Sequence, residues 1–435
     1  MTEPAPAAAS GLVRAIGRWS LVALTVNSII GSGIFGLPSV VANLLGKISP
    51  LAVLFAGAGM AIIMGCYAEV ASYFHEAGGP YLYARAAFGR MMGIQTAWML
   101  CLGQVSAPAA NANLFVIYLG EFWPHAKDPV PRFVILTGLV GVLAVINFRG
   151  VRGGAQVSNI FTAAKLIPLF AVIVMGGVVM LAHHPAASAA PAHASTGEWL
   201  KAMLLLAFAY GGFETAVAPM SEAKNPRRDV PFALFSAVLA CTVIYALIQY
   251  VVVGTLPNAA HSDRPLADVA RLALGHFGGG LVAIGALISV YGYLSAKILS
   301  MPRVTFALAE QGDFPRAFAA VHRRFKTPYV SLLVFAALIW GFALMGQFTW
   351  NVTLSAIARL FYYAVGCAAL PVLRRKRPEG AMFRLPGGTL FAVLGIAICL
   401  VLISQVDFGQ SLILIATIAI ALVNWAVVAG GRVVG

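Results

Sequence analysis

From about Trp19 to Val428 the chain is a succession of apolar runs, each long enough to cross a bilayer and separated from the next by a short loop. Inside hydrocarbon every backbone N–H and C=O must find a partner within the protein, which leaves only helices and closed barrels. A spanning helix needs about 20 apolar residues. These runs are continuously apolar, whereas barrel strands alternate, so a barrel is excluded. Charged residues make up only 10% of the 435, against about 25% in soluble domains, and the mean hydropathy is +0.87. The chain reads as an all-α polytopic membrane protein. Neither a soluble domain nor one hung from a single anchor fits.

Twelve spans are expected, near 19–45, 50–74, 93–122, 132–149, 157–181, 199–221, 231–256, 279–308, 329–346, 350–373, 387–404 and 409–430. Placing the N-terminus in the cytoplasm puts 21 Lys and Arg on the inner side, Lys297 among them, and six on the outer side. Only Lys165 and Arg359 are then left within spans. That skew follows the positive-inside rule, and it predicts both termini in the cytoplasm of a bacterial inner membrane. It also accounts for the net charge of +14 without nucleic acid. Residues 1–18 form an Ala- and Pro-rich cytoplasmic tail, with no cleavable signal expected after it. The five cysteines sit in apolar runs at unrelated spacings, as small buried hydrophobes do.

Two spans carry glycines where a helix should continue. The first is interrupted by Ile30-Gly31-Ser32-Gly33-Ile34, and the sixth by Ala209-Tyr210-Gly211-Gly212. Close helix packing through small residues is one explanation. The placement favours another, because each break opens a five-span set, 19–181 and 199–373, and the odd count turns the second set upside down. Glycine-broken helices at matching places in inverted halves point to a transporter's central site. The amides of Ser32, Gly33 and Ile34 begin a half-helix and suit a carboxylate. The carbonyls of Phe208, Ala209 and Tyr210 end one and suit an ammonium. A zwitterionic amino acid satisfies both.

Five segments then resemble one family in order. They are Asn27-Ser28-Ile29-Ile30-Gly31-Ser32-Gly33-Ile34-Phe35; Glu76-Ala77-Gly78-Gly79-Pro80-Tyr81 with Ala87-Phe88-Gly89; Phe208 to Glu214; Glu222 to Pro231; and Met301-Pro302-Arg303 through Gly312-Asp313-Phe314-Pro315. Together they resemble the amino acid–polyamine–organocation transporters. The resemblance implies the leucine-transporter fold, a 5+5 inverted repeat plus two extra helices (387–430). It also implies secondary transport of amino acids with no cofactor.

Single residues follow from position and resemblance together. An ionisable side chain in a membrane is a functional candidate by default. Lys165 shares a helical stripe with Ser158 and Thr162, although a snorkelling lysine is the plainer reading. In sodium-independent members of the family, a lysine at the matching place reaches the first helix's carbonyls and replaces sodium. Glu214 resembles an acidic residue that handles substrate and protons in the bacterial arginine/agmatine antiporter; capping the half-helix after it is the plainer role. Phe208 replaces that antiporter's tryptophan, which weakens selection of a guanidinium. Glu69 and Arg359 are expected to pair as an inner gate. Gln104, Ser106 and Ala107 of span 3 and Ser289, Tyr291 and Tyr293 of span 8 are expected beside the substrate, with Gly31 and Gly211 at the breaks. His183, His184 and His193 lack partners at ligand spacing, so no metal is expected. The expected function is alternating-access amino acid uptake, sodium-independent and proton-coupled, with exchange or cationic amino acid and polyamine transport as alternatives. A channel does not need paired inverted breaks. A membrane enzyme would need a nucleophile–base or metal cluster.

Overall fold

The computed structural model describes residues 17–74, 78–149, 154–183, 194–216 and 225–430. The first apolar run is two helices, α1 (Arg18–Ile29) and α2 (Gly33–Leu45), followed by α3 (Ser49–Ala71) and a short α4 (Gly79–Phe88). Next come α5 (Arg90–Leu119), α6 (Pro129–Arg149) and α7 (Gly154–His183). The sixth run is again divided, into α8 (Thr196–Ala209) and α9 (Phe213–Ala216). The remainder is α10 (Pro226–Thr255), α11 (Pro265–Glu310), α12 (Tyr329–Met345), α13 (Phe348–Lys376), α14 (Gly388–Ile403) and α15 (Phe408–Gly430). Among the described residues there is no strand. Among the described residues, eight stretches are long and apolar enough to cross a membrane, and α12 and α14 are shorter apolar helices. This is a polytopic helical membrane protein.

Burial sorts the helices into an interior and a rim. In the most apolar stretch of α5, 83% of residues are buried, against 17% in α6 and α15. The helix α5 therefore lies in the middle of the bundle, where it packs on α13, while α6 and α15 present Phe133, Val142, Ile415 and Val423 outward. An apolar exterior around a more polar interior is what lipid as solvent demands. At the start of α8, Ser195 and Glu198 form a capping box, in which the Ser195 amide and then its hydroxyl hold the Glu198 carboxyl below its usual range.

Two features depart from the expected layout. The eighth span begins well before 279: α11 starts at Pro265 and bends at Leu274 and Gly275, where Gly275 adopts φ +62°. Asp268, Arg271 and His276 make the segment before and at the bend polar, so hydropathy marks the span only after it. The other departure is α4, which is too short and too polar to be a span. It brings two of the family-like segments into contact. Asp313, fully buried just beyond α11, bonds to Tyr81 and lies 3.1 Å from Arg85 and 2.6 Å from Arg90. Asn424 of α15 donates to the Asp313 carbonyl at 2.8 Å. One carboxylate thus ties α4 and α5 to the end of α11.

Candidate substrate site at the two broken helices

The breaks lie against each other. A Cβ added to Gly33 would stand 3.2 Å from Ala209 Cα and 3.3 Å from Phe208 Cδ1, which is tighter than ordinary van der Waals contact. At Gly212 the backbone takes φ +113°, a region that side chains avoid, and a Cβ there would strike the Ser28 carbonyl. Glycine is thus required at Gly212 by conformation and at Gly33 by proximity. The buried Tyr245 hydroxyl of α10 stands 3.2 Å from the Ile29 carbonyl and 3.1 Å from the Ala209 carbonyl, sharing its proton between the two interrupted ends.

Each break leaves backbone groups over. Ser32 gives α2 no side-chain cap, so the first-turn amides of that helix have no side-chain acceptor. On the other side of the first break, Lys165 of α7 extends its ammonium to the Asn27 carbonyl and to the Ile30 carbonyl, the latter at 2.8 Å. At the second break the Phe208 carbonyl accepts from the Gly211 amide at 3.1 Å, and the Ala209 carbonyl accepts from Tyr245. The Phe208 carbonyl also accepts from the Tyr210 amide, so of these two only the Ala209 carbonyl keeps a second lone pair.

Beside the second break is a closed polar cluster. The Glu214 carboxylate, buried at 4% exposure, accepts from Tyr362 at 2.9 Å, Tyr363 at 2.8 Å and the Gly212 amide at 2.9 Å. Arg359 of α13 lies 3.5 Å from it. The same guanidinium sits 5.6 Å over the Phe208 ring, and a Cβ on Gly211 would collide with it. Arg359 thus fills the aromatic face that a cationic substrate would seek. Ser32 Oγ, Gln104 Oε1 and Asn27 Oδ1 are buried without hydrogen-bond partners among the described residues, an uncommon state for buried polar atoms.

The family described as amino acid permease matches residues 16–428. The chain belongs to that family. Its relatives include the methylthioribose transporter of Bacillus subtilis (strain 168), 28% identical over 92% of this chain and 90% of that protein. Two others from the same organism are the branched-chain amino acid permease BcaP, 28% identical over 91% and 90%, and the serine/threonine exchanger SteT, 27% identical over 89% and 90%. The permease is therefore a transporter of the amino acid–polyamine–organocation superfamily and not an enzyme.

The structure gathers Ile30, Gly31, Ser32, Gly33 and Ile34 of the first break with Phe208, Ala209, Tyr210, Gly211 and Glu214 of the second. Helix α5 reaches the cluster through Gly103, whose carbonyl accepts from Ser355 at 3.0 Å and which faces Arg359. Gln104 and Ala107 follow it, both buried, and Ser106 bonds back to the Leu102 carbonyl. On α11, Ser289 is buried and Tyr291 half-buried. The expected pair of Glu69 with Arg359 does not form. Glu69 instead accepts from Arg374 at 2.7 and 2.6 Å and from the Leu385 amide at 2.8 Å, tying α3 to α13 and to the segment before α14. Both arginines are on α13, fifteen residues apart, and Arg359 points to Glu214. The side chains of Ser158, Thr162 and His183, and the whole of His184, His193, Glu76, Ala77 and residues 217–224, lie outside the described residues.

Four site residues were not anticipated. Tyr362 and Tyr363 follow Arg359 by three and four positions, the spacing of one helix face. Tyr245 carries no sequence signal beyond a hydroxyl in an apolar run. Lys297 lies inside α11, thirteen positions before its end at Glu310. It stands four positions after Tyr293, and its ammonium lies 5.5 Å from the Tyr293 ring centre. That i, i+4 spacing was the available signal.

Because the breaks touch at Gly33, a valine there has no room without moving α8. Gly33→Val is expected to remove substrate-induced thermal stabilisation of the purified permease. A variant stabilised by substrate as well as wild type would show that the carboxylate is held elsewhere.

Proposed function

We propose that the permease is a secondary active transporter of L-amino acids, working by alternating access around the two breaks without sodium, and most readily as a proton symporter. The carrying observation is the Lys165 ammonium on the Asn27 and Ile30 carbonyls. Carbonyls freed in a dry interior need a cation or a donor, and here the protein supplies its own. In this reading a substrate carboxylate binds the uncapped first turn of α2, and its ammonium takes the remaining lone pair of the Ala209 carbonyl at the end of α8. Two relatives named for amino acids support the substrate class. The first and second five-span sets, 19–181 and 199–373, act as inverted halves in a bacterial inner membrane, with both termini cytoplasmic. Arg359 over Phe208 argues against cationic amino acids and polyamines, since like charges would meet there.

Reconstituted permease should show saturable amino acid uptake from sodium-free buffer, stimulated by substrate inside. Under symport, collapsing the proton gradient stops accumulation; under exchange, counterflow survives that collapse. Uptake that never saturates, with no counterflow, would remove the transporter mechanism.

A further inference from the structure

At the end of the bundle where α1 and α10 begin, Arg18, Arg227, Arg228, Pro231, Phe232 and Phe383 line an open cleft of about 470 Å³. From Arg18 to the first break at Ile29 is about 16 Å along α1. The walls are fixed from several sides. The Phe383 amide donates to the Ser72 hydroxyl just beyond α3 at 3.2 Å, and the Phe383 carbonyl accepts from that hydroxyl at 3.3 Å. Phe232 packs with the Arg18 guanidinium, 5.1 Å from its ring centre, and meets Trp19 edge-on with centres 5.3 Å apart. Asp229, in the same turn of α10, is buried and already engaged. It accepts from Arg18 Nε at 3.3 Å and from the Asn225 amide at 3.1 Å. Arg227 and Arg228 are exposed. The cleft therefore offers guanidinium groups beside an aromatic wall, a chemistry suited to a phosphate.

What lies below the arginines says where such a phosphate comes from. Arg228, Phe232, Phe235, Leu239 and Val243 follow one another at spacings of four, three, four and four, which is one face of α10. Phe235, Leu239 and Val243 are exposed on a helix long and apolar enough to span the membrane, so they face acyl chains. From Phe232 to Val243 this face runs about 16 Å, roughly half of the ~30 Å hydrocarbon core, or one leaflet. Trp19 is 70% exposed at the top of it, where indoles settle at a membrane–water interface. We propose that the cleft binds an anionic phospholipid, its phosphate against Arg227 and Arg228 and one acyl chain along Phe235, Leu239 and Val243. Basic pockets at the ends of membrane helices take such headgroups. A free phosphate would use the arginines alone and leave the apolar face without a role. The site touches the helix that ends at the first break, yet it does not depend on what the permease carries.

The test uses the purified full chain in detergent, loaded with dioleoylphosphatidylglycerol, with bound copies counted by native mass spectrometry. Phosphatidylglycerol is expected to stay bound against an excess of dioleoylphosphatidylcholine or of glycerol 3-phosphate. Arg227→Gln combined with Arg228→Gln should weaken it about 30-fold, at roughly fivefold for each cation near a headgroup. Arg375→Gln combined with Arg377→Gln removes the same charge from exposed arginines at the end of α13 and should leave the affinity unchanged. An equal loss in both double variants would show attraction to net charge and overturn the assignment of a site. Displacement by glycerol 3-phosphate would make the ligand a free phosphate ester and overturn the lipid. Where Arg227→Gln with Arg228→Gln does not fold, the wild-type competition decides: phosphatidylcholine retained as well as phosphatidylglycerol overturns the proposal.

Discussion

Lys165→Ala is expected to abolish amino acid transport in sodium-free buffer. The substitution removes the ammonium from the Asn27 and Ile30 carbonyls and leaves two buried acceptors bare, at about 1–3 kcal/mol each. The end of α1 then loses the tie that holds it to α7, and the first break loses its shape. Lys165→Arg keeps a positive charge but presents a larger fork that does not deprotonate in proteins. It should therefore support counterflow while failing to accumulate substrate against a gradient, if Lys165 carries the coupled proton. Adding sodium to Lys165→Ala is an informative control, because partial rescue would show the carbonyls accepting a metal ion where the ammonium stood. Wild-type rates in sodium-free Lys165→Ala would remove the lysine from the mechanism altogether.

Glu214→Ala is expected to cost the permease about 3–5 kcal/mol of stability, the usual consequence of removing one partner of a buried ion pair. Arg359 would lose the carboxylate it pairs with, and the hydroxyls of Tyr362 and Tyr363 would lose their acceptor together. Glu214→Gln separates this structural part from a protonation role. Its amide oxygen can still accept from a tyrosine, but its nitrogen cannot accept from Tyr363 and the Gly212 amide, as Oε2 does now. The variant should therefore be only partly destabilised in a thermal melt. If transport requires Glu214 to gain and lose a proton, Glu214→Gln should flatten the pH dependence of uptake while binding persists. An unchanged pH profile would leave Glu214 as the residue that closes the second break and nothing more.

The membrane class, the succession of helices and the two breaks were all legible in the amino-acid sequence, because each depends on residues adjacent along the chain. An apolar run is helical in lipid wherever it packs, and glycines interrupt it wherever they occur. Lys165 was legible for the same reason, as a charge stranded in an apolar run beside a known need. Which charges pair was a different matter. Glu69 and Arg374 lie 305 residues apart, Tyr362 and Glu214 148 apart. Arg359 was the plausible partner for Glu69 in composition and approximate depth. The rotation of α13 instead turns Arg359 onto Glu214 and leaves Arg374, four turns further on, for Glu69. Lys297 fell within the expected eighth span, 279–308, yet was counted with the inner-side cations, because a tally of charge by side does not show which way a side chain on a helix points. Local sequence determined that this chain would be a bundle with two opened helices. Only the tertiary structure decided which side chains face those openings, since that depends on how each helix is turned against its neighbours, and such packing joins residues hundreds of positions apart.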